Sequence, residues 1–163
     1  MTAQTPEILI YEGQRHALCD LPLDDYFARE RVQPDFRFTS TALWRGYVGT
    51  WEIVDGRLYL IELEGQLRGG SEVSLETFFP HARDRVFADW YSGTLRVPQG
   101  RMLDYEHVAF ASVYERDLLI EIEQGVVQRT TVRQNGTAES GAGAEGYRIA
   151  GMTMFGRKDR DSE

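Results

Sequence analysis

Two blocks of this chain concentrate side chains able to grip or activate a ligand. The first is Trp44-Arg45-Gly46-Tyr47 followed by Gly49-Thr50-Trp51-Glu52, and the second is Asp89-Trp90-Tyr91-Ser92-Gly93-Thr94-Leu95-Arg96. Arg45 and Arg96 carry guanidinium forks that fit a carboxylate or phosphate through paired N–H bonds. Glu52, Asp89 and Glu115 have the chemistry of an acid, a base or a ligand anchor. Tyr47, Trp51 and Tyr91 supply flat apolar faces with a polar handle. Glycine inside a strand marks a bulge or a close approach of a ligand or another backbone. The structural reading of the same residues is that the aromatics are core or cross-strand pairs. On that reading Arg45 and Arg96 pair with Asp89 or Glu52 within a covered sheet.

Other chemistry is sparse. Three histidines, His16, His81 and His107, could ligate a metal together with Glu106 or Asp104, but their spacing matches no metal pattern. No metal and no cofactor are expected, and His107 stays as a candidate binding residue beside Glu115. Cys19 stands close to His16 and just before a helix candidate, a setting that can lower a thiol pKa. A lone cysteine is more often a small buried hydrophobe. The chain lacks GxxxxGK[ST], GxSxG, HExxH and CxxC motifs, so any enzymatic site would be assembled from distant residues.

The elements that must position these residues read mostly as β. Runs 7–11 and 15–19 flank Glu12-Gly13 as a small hairpin. Residues 20–31 predict a helix with Asp20 as its cap, Pro22 in its first turn, and Leu23, Phe27 and Tyr26 forming its inner stripe. Asp55-Gly56 between two β-rich runs predicts a two-residue hairpin turn. That turn pairs Val54 with Arg57, Ile53 with Leu58, Glu52 with Tyr59 and Trp51 with Leu60. Strict alternation then puts Trp51, Ile53, Leu58 and Leu60 on one face, continued by Glu62 and Glu64, and places Val48, Tyr59, Ile61 and Leu63 on the other. Residues 65–72 read as a loop. Residues 74–79 read as a short helix without a capping box, ended by Pro80. Residues 86–97 return to strand. Pro98-Gln99-Gly100 reads as a hairpin turn and Arg116-Asp117 as the next. Gln124-Gly125 reverses the chain between 118–123 and 126–132. Residues 133–146 read as a mobile loop, 147–155 as a last strand closing the sheet, and 156–163 as a disordered tail, giving one domain over 1–155.

The blocks STALWRGYVGTWEIVDGRLYL, FADWYSGTLRVPQG and YEHVAFASVYERDLLIEIEQG resemble a family of uncharacterised bacterial proteins of similar length. The resemblance covers roughly residues 20–128 and implies no activity. Gly49-Thr50-Trp51 also resembles the G-x-W of lipocalin-like barrels. There it stands on the first strand, whereas here a hairpin and a helix precede it.

Length and charge bound what remains. A chain of 163 residues can bury a real core. The formal net charge is −8, which disfavours nucleic acid and anionic membrane surfaces and suits a basic partner. One cysteine allows no intramolecular disulfide, and no signal-peptide pattern opens the sequence, so a cytoplasmic protein is expected. The expected fold is mainly β with a minor α part: an antiparallel meander forming a strongly twisted sheet or incomplete barrel, with one or two short helices. Three functions stay open. They are a non-enzymatic interaction protein of immunity or accessory type, a small-ligand-binding β-barrel lined by Arg45, Trp51, Tyr91 and Arg96, and an enzyme using Glu52, Asp89, His107 or Glu115.

Overall fold

The computed structural model describes residues 3–106 and 110–136. Antiparallel strand pairs build most of it. β1 (Glu7–Tyr11) and β2 (Gln14–Leu18) form the first, β3 (Tyr47–Val54) and β4 (Arg57–Gly65) the second. β6 (Gly93–Asp104), β7 (Val113–Glu123) and β8 (Val126–Gln134) form a three-stranded meander, while β5 (Val86–Phe87) is a two-residue strand on β4. Helix α1 (Pro22–Glu30) follows β2, and the single turn α2 (Leu75–Phe78) follows β4. The strands make one mixed sheet in the order β2-β1-β3-β4-β8-β7-β6, which does not close into a barrel.

Three of the turns share one local cause. Glu12-Gly13, Asp55-Gly56 and Gln124-Gly125 all have positive φ at both positions, the backbone that matches the right-handed twist of the flanking strands. The register after Asp55-Gly56 runs Val54↔Arg57, Ile53↔Leu58, Glu52↔Tyr59 and Trp51↔Leu60, as the turn dictates. Beyond Trp51 it shifts: Thr50 pairs with Glu62 and Gly49 with Leu63, so Ile61 is the extra residue of a bulge. The bulge corrects the strict alternation. Leu63 joins Leu58 and Leu60 in the core, and Glu62 and Glu64 turn to solvent.

Several other expectations are corrected. β1 pairs with β3 in parallel, made possible by the crossover through α1 and the chain after it. Pro98-Gln99-Gly100 is not a turn: β6 runs straight through it, pairing Pro98 with Asp117, Gln99 with Arg116 and Met102 with Tyr114. Gly100 and Arg101 together oppose Glu115, so the positive φ of Gly100 (83°) belongs to a bulge. Proline is tolerated there because β6 is the end strand of the sheet. Arg116-Asp117 lies inside β7, with Asp117 1% exposed. Residues 88–92 leave the strand path between β5 and β6, so Asp89–Ser92 of the second aromatic block sit on an irregular segment and Gly93–Arg96 open β6.

Asp20 does not cap α1. The N-cap is Leu21 with no side-chain bond, and Asp20 Oδ2 instead accepts the Arg96 N–H at 2.6 Å. In α2 a capping box is present after all. Thr77 Oγ1 accepts the Ser74 N–H at 2.9 Å, the reciprocal bond that glutamate or glutamine ordinarily supplies. Residues 133 and 134 belong to β8 rather than to a loop. The expected loop beyond residue 136, the strand 147–155 and the tail 156–163 lie outside the described residues, as does His107.

The core gathers one face of the sheet under α1. Leu9, Leu18, Leu23, Trp51, Leu58, Leu60, Ala88, Leu95, Val97 and Ile120 are fully buried in one cluster. A ring of aromatics closes its end. Phe27 meets Tyr47 and Phe78 edge-on, and Tyr26 and Phe79 flank Trp90. At the far ends of the strand path, Cys19 N–H donates to Arg96 O at 2.9 Å. That bond and the Asp20–Arg96 bond bring β2 and β6 together without a ladder between them.

Candidate functional site

A concavity lies where the chain between α1 and β3 crosses the end of β4. Helix α1 stops at Arg31, which takes the left-handed conformation, and Val32 N–H returns to Phe27 O at 2.9 Å. The following segment is irregular but firmly held. Phe36 bridges to Leu67 and packs its ring on Tyr47 at 5.2 Å. Arg37 N–H donates to Gln66 O at 2.7 Å, and Arg68 N–H donates to Asp35 O. Nearer β3, Thr5 N–H donates to Ala42 O at 2.7 Å, and Trp44 N–H donates to Gln4 Oε1 at 2.8 Å. The backbone of residues 35–46 is therefore fixed at both ends.

Its side chains are not covered to match. Phe38 is 63% exposed and Trp44 47%. They are chain neighbours of Thr39 and Leu43, which line a groove of about 330 Å³ with Glu64, Gln66, Glu72 and Val73. Leu43 and Val73 give it an apolar wall. Glu64 and Glu72 are exposed and make no ion pair with any described residue. The cations nearest in the chain are engaged elsewhere: Arg37 with Gln66 Oε1 at 3.2 Å, Arg45 with Glu7 and Arg68 with Asp35. The groove thus carries two uncompensated carboxylates, and its loop wall is flanked in the chain by two exposed aromatics on a held backbone.

The residues singled out from the sequence separate into distinct places. Arg45 turns inward to Glu7, a partner that its spacing does not suggest. Its Nε and Nη2 reach Glu7 Oε2 at 3.2 and 2.8 Å. Gly49 N–H adds 2.9 Å to the same oxygen, and Trp51 Nε1–H donates to Oε1 at 3.0 Å. Glu7 and Trp51 are both fully buried. Burial pushes the Glu7 carboxyl up, against the pull of Arg45 and the N–H donors. Arg45 also lies 5.4 Å over the Tyr47 ring, whose hydroxyl donates to Asp24 Oδ1 at 2.7 Å. The Tyr47 phenol is held far above its ordinary range, first by burial and then by the Glu7 and Asp24 anions.

Arg96 is likewise used within the fold, by Asp117 rather than by Asp89 or Glu52. Its Nε donates to Asp117 Oδ1 at 3.0 Å, and Nη1 and Nη2 reach the Phe110 and Ser112 carbonyls at 2.6 and 2.7 Å. Asp117 Oδ2 accepts from Arg133 and Asn135. Beside this group, burial lifts the Asp20 carboxyl to about 6 and the Cys19 thiol to about 11. A thiol so raised is protonated near neutrality, which removes the basis for a nucleophilic Cys19. Tyr91 is buried, and its phenol is raised by that burial and by Asp20 and Asp25.

The acidic candidates do not meet. Glu115 accepts the Arg101 N–H at 3.0 Å on the β6 bulge. Glu52 lies on the outer face of β3, opposite Tyr59, and Asp89 is exposed in the irregular 88–92 segment. Among the described residues no three His, Cys, Asp or Glu side chains converge to hold a metal ion. Leu43, Glu64 and Glu72 are groove residues that sequence reasoning misses, as it misses the exposed Phe38 next to the groove's Thr39. Their chemistry is ordinary, and only the fold joins a loop to a strand end some twenty residues later. Trp44 belongs to the first aromatic block, but its exposure has no signal in the sequence. No helix among the described residues is long and apolar enough to cross a membrane. No family model, curated protein or solved structure matches the chain.

Proposed function

We propose that this chain is a non-enzymatic protein-binding module, of immunity or accessory type, that takes a basic and apolar segment of a partner protein. The observation that carries this reading is the exposure of Phe38 and Trp44 on a backbone fixed at both ends, next in the chain to Thr39 and Leu43 of a groove that holds unpaired Glu64 and Glu72. Large aromatics on a held backbone lose less entropy on binding and dominate interface energetics. Carboxylates at the rim add charge selection and speed encounter with a cationic segment. The chain's net charge of −8 acts in the same direction at longer range. A single cysteine fits the cytoplasm as the place of action. The ligand-barrel reading loses support, because Arg45 and Arg96 are bound to internal carboxylates and Trp51 is fully buried.

The test is an amide-NMR titration with a short Arg/Leu peptide and its Glu/Leu counterpart. The Arg/Leu peptide is expected to shift resonances at 38–46, 64–66 and 72–73, with affinity falling as salt rises. Trp44→Ala and Phe38→Ala should each weaken it roughly tenfold while leaving the melting temperature within a degree or two. Equal binding of the Glu/Leu peptide, or shifts confined to other surfaces, overturns the proposal.

A further inference from the structure

The outer face of the β4–β5 pair carries a second arrangement that no part of the groove uses. Tyr59 and Phe87 are directly opposite across the two strands, with ring centroids 5.7 Å apart. Each ring is overlaid by an arginine. Arg85 lies 4.0 Å from the Tyr59 centroid, and Arg57 lies 5.7 Å from the Phe87 centroid. Both arginines are exposed, and neither side chain makes a hydrogen bond or ion pair with a described residue. The arginines of the two aromatic blocks, Arg45 and Arg96, have carboxylate partners.

A guanidinium resting on an aromatic ring has its position set by the ring, while its N–H groups stay free to donate. Ring contact therefore fixes the fork before any ligand arrives, which reduces the ordering cost of binding. Two such forks over the two rings of one aromatic pair present unsatisfied donors on one surface. We propose that Arg57 and Arg85, each backed by its ring, form a binding site for an oxyanion, a carboxylate or a phosphate monoester. The guanidinium forks take the oxyanion, and Tyr59 and Phe87 hold the forks in place.

Nearby acids set the limits of the site. Glu52 pairs with Tyr59 across β3 and β4 and so shares its face. Asp84 and Asp89 flank the β5 segment in sequence without pairing to either arginine. Glu52 repels an incoming anion at the Tyr59 end, so removing its charge strengthens binding.

The experiment follows the arginine Nε–Hε and backbone amide signals of the full chain during titration with phenyl phosphate, benzoate and choline. Phenyl phosphate or benzoate, or both, are expected to saturate shifts at Arg57, Arg85 and residues 58–61 and 86–88. Response to one alone names the source of the oxyanion. Arg85→Lys, which keeps the charge and loses the fork, should weaken binding roughly tenfold. Glu52→Gln should strengthen it roughly threefold. Thermal melts of both variants report whether the fold is kept. No saturable shift with either anion, an equal response to choline, wild-type affinity in a folded Arg85→Lys, or no gain in a folded Glu52→Gln each overturns the proposal.

Discussion

Glu7 has no exposure, yet its carboxylate accepts four hydrogen bonds from three residues: two from Arg45 and one each from Gly49 and Trp51. A buried acid with that many donors is stable only while all of them are present. Glu7→Gln keeps the size but puts an NH₂ where N–H donors converge, and it leaves the nearly buried Arg45 guanidinium without its counter-charge. The expected cost is about 3 kcal/mol in chemical denaturation. Glu7→Leu with Arg45→Met should cost less than the sum of the two single changes, since no lone charge stays buried. Recovery will be incomplete, because Gly49 N–H and Trp51 Nε1–H lose their acceptor. Gly49 explains the tightness of the arrangement. A Cβ there would stand 2.6 Å from Glu7 Oε1 and 3.0 Å from Trp51 Nε1. Gly49→Ala is thus expected to destabilise about as much as Glu7→Gln, although it adds only one methyl group. A loss below about 1 kcal/mol would show that the carboxylate can move aside without penalty.

At the scale of elements, what is legible in the sequence depends on whether the signal is local. The turn at Asp55-Gly56 specifies the register of Trp51, Glu52, Ile53 and Val54 because a two-residue positive-φ turn leaves no other pairing. The stripe of Leu23 and Phe27 on α1 is equally plain. The bulge at Ile61 is not, since nothing in YLIELE distinguishes an extra residue from ordinary alternation. Gly100 shows the other ambiguity. A glycine with positive φ after Pro98 serves a turn or a bulge equally well, and the choice is made by Glu115 on β7, which receives the Arg101 N–H. In the candidate sites, the sequence leaves Arg45 and Arg96 open between gripping a ligand and pairing with Asp89 or Glu52, and the structure pairs them internally with other acids. Their partners Glu7 and Asp117 lie 38 and 21 residues away, beyond any spacing argument. Two alanine substitutions separate backbone strain from crowding. At Gly56, φ is 74° and nothing stands within 4 Å of a new Cβ, so Gly56→Ala should cost about 1 kcal/mol. At Gly100, φ is 83° and the Cβ would meet Glu115 Oε1 at 2.5 Å, breaking the carboxylate contact that holds the bulge. Gly100→Ala should therefore lose roughly twice as much in the same urea titration. Equal losses would mean that Glu115 does not hold the bulge.

The whole molecule depends on how the two ends of the strand path meet. β2 and β6 approach without pairing as strands. Among the described residues, two bonds join this seam directly: Cys19 N–H to Arg96 O, and Arg96 N–H to Asp20 Oδ2. The second uses a carboxyl that burial lifts to about 6, opposed by the Arg96 N–H and guanidinium and reinforced by Asp25. A carboxyl whose folded pKa stands above its unfolded value binds protons more tightly in the folded state. Its contribution to stability is complete below about pH 4 and is lost as pH rises through about 6. Burial also raises Glu7 and Asp25, so the slope of the wild-type protein alone would not isolate the seam. Comparison with Asp20→Asn does. The amide oxygen can still accept the Arg96 N–H, and the residue carries no charge at any pH. The two proteins should have equal stability near pH 4, where Asp20 is neutral in the folded state and only beginning to ionise in the unfolded chain. By pH 7 the variant should be the more stable by about 1 kcal/mol, a figure kept well under the full shift because the group is partly solvated. Urea midpoints taken from pH 4 to 7.5 would trace the divergence, centred between about 4 and 6. Curves that stay parallel across that interval would show that Asp20 ionises at the seam as readily as in the unfolded chain. A variant that loses stability with rising pH would show that the charged carboxylate strengthens the closure of β2 onto β6.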